Sequence, residues 1–306
     1  MNVEKRKNYG TTLTLNGIDT LSGYISQKIT DADIDNEIQD NIKNCSYSSK
    51  KDKTLLQINP NKKGNTEKLI TRYSEFVKKM EFILNKLGSR YDDFSYIRAD
   101  FCFNSKDIDS YELYKKTNRL ILLCLSFAYE YRNAYETKDL WTGQLLSLAI
   151  KKDDSEAEYY NKYIASNGKD ECANRLEIRS KRMNGSELQY QFLEKWFERF
   201  NMAINCFWEV QVESNNQMQK RWELDQNKPK KERDYLSVNA FLMQNRDNIF
   251  TRKQMIDLIS RLDPKVNATK KADHFKERHK IEYFSKKDLE YIVQVLKNKI
   301  TEYFLT

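Results

Sequence analysis

The sequence predicts an α+β protein with a mostly antiparallel central sheet and flanking helices, followed by a small basic helical domain. Three observations predict it. Short stretches of alternating polarity at residues 11–25, 54–58, 95–104, 144–151 and 175–179 read as strands. Longer stretches between and after them carry apolar residues at helical spacing. Charge is also unevenly spread: residues 1–219 hold 33 Lys and Arg against 32 Asp and Glu, and residues 220–306 hold 20 against 13. Nearly all of the net +8 therefore lies in the last third. A localised positive field suits a polyanion-binding module, and on charge alone it suits a solubilising surface equally well.

In order, the Thr and Leu alternation of residues 11–25, broken at Asn16-Gly17, predicts a strand, a turn and a second strand. A polar stretch with little periodicity, 30–53, leads to a short strand, Thr54–Ile58, closed by Asn59-Pro60-Asn61. A helix is expected from Thr66, with Leu69, Ile70, Tyr73, Phe76, Val77, Met80, Ile83 and Leu84 at helical spacing and Gly88 as its C-cap. Residues 95–104 place Tyr96, Arg98, Asp100, Cys102 and Asn104 on one face and Ile97, Ala99, Phe101 and Phe103 on the other. Residues 111–131 read as a buried helix or strand. Trp141-Thr142-Gly143 leads into a strand over 144–151, then an acidic turn at 153–156. The cluster Glu158-Tyr159-Tyr160-Asn161-Lys162-Tyr163 follows, and a strand with Arg175, Glu177 and Arg179 on one face.

Ser186-x-x-Gln189 reads as a capping box for a helix striped with Leu188, Phe192, Trp196, Phe200, Ile204, Phe207 and Trp208, which is core packing. Residues 214–234 hold Pro229 and the Lys228–Lys231 cluster and read as a linker or an exposed helix extension. They divide a first domain, 1–213, from a basic helical domain, 235–306. In the latter, Thr251-x-x-Gln254 and Ser285-x-x-Asp288 each start a helix, in an arrangement that resembles a helix-turn-helix whose recognition helix stays open.

No run approaches the roughly 18 apolar residues of a membrane span. The five cysteines are scattered without paired ligand spacing, which suits reduced thiols in a cytoplasmic protein. His274 and His279 lack metal-ligand spacing, and no glycine-rich phosphate loop is present. Tyrosine nucleophiles remain. A phenol of pKa near 10 needs a base or a hard cation to attack phosphate at neutral pH. Asp100 and Glu177, each on the polar face of an expected strand, are the best-placed metal ligands; ordinary sheet tyrosines with strand ion pairs give the same pattern.

The order of these segments resembles the Rep_trans family of replication initiators from Gram-positive rolling-circle plasmids and related mobile elements. Gly17-Ile18-Asp19-Thr20-Leu21, Leu55 to Asn61, Arg98-Ala99-Asp100-Phe101-Cys102-Phe103, Trp141-Thr142-Gly143, Tyr160-Asn161-Lys162 and Arg175-Leu176-Glu177-Ile178-Arg179 follow the family's motifs in its order, over about residues 11–183. The resemblance implies a DNA nicking-joining enzyme in which Tyr160 attacks and stays joined to the 5′ phosphate. It implies Mg2+ or Mn2+ held by Asp100 and Glu177, and a phosphate steadied by Lys162 and Arg175. It also implies a homodimer acting on origin duplex or cruciform and single-stranded DNA, with a host helicase as a further partner and no membrane. Lys228, Lys230, Lys231, Arg252, Lys253, Lys270 and Lys271 are the expected DNA contacts of the tail. The chain differs from the family at Asn104, in place of a second acid, and at Glu158, in place of a basic residue. Tyr159, Tyr160 and Tyr163 therefore all stay open as the nucleophile. A relaxase with the same chemistry and a non-catalytic DNA-binding regulator are the alternatives.

Overall fold

A computed structural model describes residues 9–63, 66–107, 109, 111–128, 133–138, 145–168, 171–172, 174–185 and 187–306. Its strands are β1 (Leu15–Ile25), β2 (Ile42–Ser48), β3 (Lys53–Ile58), β4 (Lys62–Lys63), β5 (Thr66–Glu67), β6 (Ser95–Ser105), β7 (Asn133–Lys138), β8 (Leu145–Lys152), β9 (Ser155–Tyr160) and β10 (Asn174–Lys181). Its helices are α1 (Tyr73–Lys86), α2 (Tyr111–Ala128), α3 (Lys162–Ala165), α4 (Leu188–Asn205), α5 (Phe207–Gln226), α6 (Val238–Gln244), α7 (Arg252–Leu262), α8 (Ala268–His279) and α9 (Lys286–Leu305). Eight strands form one sheet in the order β2-β3-β1-β6-β10-β9-β8-β7, each pair antiparallel. The fold is α+β with a central antiparallel sheet, as the alternating segments predict.

One face of the sheet is the core. Ala99, Phe101 and Phe103 of β6, Leu176 and Ile178 of β10, and Ala157 and Tyr159 of β9 are buried there with Phe192, Trp196 and Phe200 of α4. Periodicity alone gives this: two for the strands, 3.6 for the helix. The opposite face carries the charged residues.

Several expectations are corrected. Residues 11–25 do not form a hairpin, since β1 runs straight through Asn16-Gly17. Gly17 is there for close approach: a Cβ at that position would run into the Ile70 carbonyl oxygen and touch Tyr303. Gly17→Ala is expected to cost about 1–3 kcal/mol, because backbone blocks the added methyl; urea unfolding reads this directly. The polar stretch 30–53 contains the edge strand β2, whose half-polar surface hides its period. Thr66 starts the short strand β5, and the helix begins only at Tyr73. That helix does end at Gly88, in the left-handed region at φ 71°. Trp141-Thr142-Gly143 and the Ser186 cap lie outside the described residues. The stripe of α4 breaks at Cys206, so Phe207 and Trp208 belong to α5, and Trp208 is 48% exposed.

Of the two readings of 214–234, the helix extension holds over 214–226, which form the second half of α5. A second core, with Met218, Phe241, Leu242, Met255, Leu258, Ile259, Ala272 and Phe275, joins the end of α5 to α6, α7 and α8. The last helix does not belong to it. Helix α9, opened by the expected Ser285–Asp288 capping box, buries Leu289, Ile292, Val293, Leu296, Ile300 and Tyr303 in the sheet core. There Tyr303 meets Phe101 edge-on at 5.3 Å between centroids, and Phe304 meets Tyr73 at 5.0 Å.

Candidate functional site

The polar face of β1, β6, β10 and β9 gathers the residues singled out in the sequence. Antiparallel register sets Arg179 opposite both Asp100 and Glu156, and Arg175 opposite both Asn104 and Tyr160. Side chains two apart on a strand share a face, so Arg98, Asp100 and Asn104 meet Arg175, Glu177 and Arg179, then Glu156, Glu158 and Tyr160.

Tyr160 is held between unlike charges. Its Oη donates to Glu177 Oε2 at 3.0 Å and accepts from Arg175 Nη1 at 3.3 Å. Burial raises the phenol well above its ordinary value, and the Glu177 charge raises it further, against Arg175. The other two tyrosines go elsewhere. Tyr159 points through the sheet to the core, is 0% exposed and donates to Asn174 Oδ1 at 2.9 Å. Tyr163, on the short helix α3, is 54% exposed, with its phenol end close to Gly168. Tyr160 is the one of the three that reaches the carboxylates.

Arg175 is fixed from three sides. It donates from Nε to Asn104 Oδ1 at 2.7 Å and from Nη1 to Asp19 Oδ1 at 3.2 Å and to Tyr160. Asp19 reaches it through a β-bulge, since Ile18 pairs with Phe101 and Thr20 with Asp100, leaving Asp19 as the extra residue. Asn61 holds the bulge, donating from Nδ2 to the Ile18 and Asp19 carbonyls at 3.1 Å each. Burial opposes the charge on Asp19, but Arg175 foremost, then Lys43 and Lys162, brings its carboxyl below the usual range. Lys162, at the start of α3, thus faces the same group.

Arg179 lies among four acids. It donates from Nε to Glu177 Oε1 at 2.8 Å, from Nη2 to Glu158 Oε2 at 3.0 Å and from Nη1 to Glu156, and its Nε lies 3.7 Å from Asp100 Oδ2. Arg98 takes both oxygens of Asp100, at 2.8 and 2.6 Å. Asp100 and Glu177 share a face, as expected. Their oxygens, however, are engaged by guanidinium groups and by the Tyr160 phenol. Among the described residues no three acid, His or Cys groups converge as metal ligands. In this arrangement the expected Mg2+ or Mn2+ does not fit, because Arg179 fills the space between the carboxylates.

Burial pushes the Asp100 carboxyl up to about 6 from 3.8, with Glu177 adding to the rise and Arg98 and Arg179 opposing it. A folded value above the unfolded one contributes stability that is full below 3.8 and is lost as pH rises through about 6. By linkage this is worth roughly 3 kcal/mol. Urea unfolding between pH 3.5 and 7 should show wild-type stability carrying this downward component and Asp100→Asn lacking it. Identical slopes in the two proteins would refute the assignment.

Asp19, Glu156 and Glu158 carry no role in the sequence-derived site. Asp19 lies in a quoted motif, but the bulge that turns it toward Arg175 leaves no mark on polarity alternation. Glu156 and Glu158 could have been placed by the alternation of Ser155–Tyr160 once that stretch was taken as a strand.

The expected DNA contacts of the tail lie apart from the sheet face. Lys228 pairs with Asp225 at 3.3 Å and Asp234 at 2.7 Å, Arg252 takes both oxygens of Asp273 at 2.7 and 2.8 Å, and Lys271 lies 3.6 Å from Asp263. Lys253 sits over the Trp208 ring at 5.7 Å, and Lys230, Lys231 and Lys270 are exposed. No helix among the described residues is long and apolar enough to cross a membrane.

No family model and no curated protein matches the chain. Among solved structures, the rolling circle replication initiator protein from Geobacillus stearothermophilus aligns with a TM-score of 0.33 and 12% identity, over 58% of this chain and 78% of that one. At that score and identity the likeness establishes neither fold nor function for this chain.

Proposed function

We propose that this chain is a rolling-circle replication initiator that binds origin DNA and nicks one strand with Tyr160. The observation that carries this reading is the phenol held between a carboxylate and a guanidinium, Glu177 and Arg175, on an otherwise ion-paired sheet face. The motif order of residues 11–183 supports it independently. As Tyr160 Oη bonds to phosphorus, Glu177 Oε2 takes its proton. The bond from phosphorus to the 3′ oxygen breaks, and that oxygen leaves with a proton from solvent. The 5′ phosphate remains on the tyrosine, and Arg175 and Lys162 offset charge on its oxygens. Binding of Mg2+ or Mn2+ would require Arg179 to leave the carboxylates, so the reading routes no step through a metal.

The resemblance extends this reading to a homodimer at a duplex or cruciform origin, with a host helicase taking up the opened strand, and the same chemistry would serve a relaxase. The test is supercoiled plasmid carrying the chain's own origin, incubated with the protein with and without Mn2+. Open circles with a covalent protein–DNA adduct are expected. Their absence under both conditions refutes nicking. A second reading, a DNA-binding protein that does not nick, is favoured by one observation: Arg179 neutralises the acids a catalytic cation would use.

A further inference from the structure

Helices α7 and α8 are joined by the turn Asp263–Asn267, with the Asn267 side chain capping α8 at the Lys270 N–H. Helix α7 buries five of its eleven residues, whereas α8 buries only Ala272 and Phe275 of twelve. At 100° per residue these two define the inward side of α8, and Lys270, Asp273, His274 and Glu277 fall opposite. Lys276 and Lys280 flank this outer stripe on one side, Lys271 and Arg278 on the other.

Charge separates α8 from the sheet site. Arg98, Arg175 and Arg179 are all paired with acids. Lys265, Lys270, Lys276, Arg278 and Lys280, by contrast, have no ion pair among the described residues, and all five are exposed. The acid in the outer stripe nearest the turn, Asp273, is neutralised by Arg252. An exposed polar stripe with uncompensated cations on both flanks matches the two phosphate backbones that border a major groove. At twelve residues, α8 is about 18 Å long, enough to lie in one.

We propose that α8 is the recognition helix and enters the major groove of duplex DNA. Lys270, His274 and Glu277 face base edges, and Lys276, Arg278 and Lys280 contact the two backbones. This rests on the DNA-binding part of the reading above and not on nicking. It shifts the contact surface from Lys228 and Arg252, which are held by acids, to α8.

The test uses the full chain and a fluorescein-labelled 20-base-pair duplex of mixed sequence, titrated across salt. Lys276→Ala and Arg278→Ala should each flatten the dependence of log K on log salt by about 1. Lys270→Ala and His274→Ala should alter the bases enriched from a randomised 20-base-pair pool. A variant carrying all four changes, folded by circular dichroism, that keeps wild-type affinity and salt slope overturns the proposal, even if the chain nicks plasmid. Lost duplex binding in that variant of a chain that does not nick supports the proposal and removes only the nicking reading.

Discussion

Tyr160→Phe is expected to abolish nicking, by at least about 10⁴-fold, with no covalent adduct, because under the proposed mechanism it removes the oxygen that takes up the phosphate. The loss should be chemical and not structural. The phenol gives up one bond to Glu177 and one from Arg175, and both partners retain other contacts: Glu177 with Arg179, Arg175 with Asn104 and Asp19. Glu177→Gln should slow nicking by about 10²- to 10⁴-fold, since a phenol raised by burial cannot attack until something takes its proton. Tyr163→Phe should nick as the wild type does. Tyr159→Phe should lose stability, since it strands the buried Asn174 partner, yet nick at wild-type rate per folded molecule. Rates and adduct yields on supercoiled plasmid distinguish the three. An undiminished nick with Tyr160→Phe would end the assignment.

Arg179→Ala is expected to cost about 3–5 kcal/mol of stability at pH 7, the penalty for uncompensated buried charge. Its guanidinium links Glu156, Glu158 and Glu177 and lies close to Asp100, and its side chain is 14% exposed. Burial works against its charge, but Glu177 and then Glu156 and Asp100 hold it firmly protonated. Without it, Asp100 keeps Arg98, Glu156 keeps Lys181 and Glu177 keeps only Arg175, at 4.0 Å, while Glu158, directly opposite Glu177, loses its arginine. The deficit should shrink from pH 7 toward pH 4, because protonation removes the repulsion the arginine was offsetting. Urea unfolding at the two pH values measures both quantities. A loss below about 1 kcal/mol at pH 7 would mean these acids are solvated.

Much of this was legible from the sequence for a physical reason. Alternation in 95–104 and 175–179 identifies two strands and which side chains share a face within each, Asp100 with Arg98 on one and Glu177 with Arg175 and Arg179 on the other. What alternation cannot show is pairing across strands. Arg179 was visible on the right face, but that it sits among four acids follows from the β10–β6 and β10–β9 registers. The bulge at Asp19 was hidden because one extra residue breaks the very period used to find strands. A glycine beside Asn signals a turn, whereas Gly17 admits the Ile70 backbone. The last helix, expected within the basic domain, packs in the sheet core, because its apolar stripe specifies burial and not a partner.

That last helix changes what kind of object the second core is. The second core is entered from α5, whose start packs in the sheet core, and left by α9, which returns to it. Between those two anchors, buried cations of α2 reach across: Lys115 to Asp247 at 3.3 Å, Lys116 to the Glu282 carbonyl at 2.8 Å, Arg119 to Asn248 at 2.8 Å. A module hung from one strand of chain can swivel and hand its cargo over at any angle. One bracketed at both ends and pinned in the middle behaves as a jig, so under the proposed reading a duplex seated on α8 would take one fixed attitude toward the sheet.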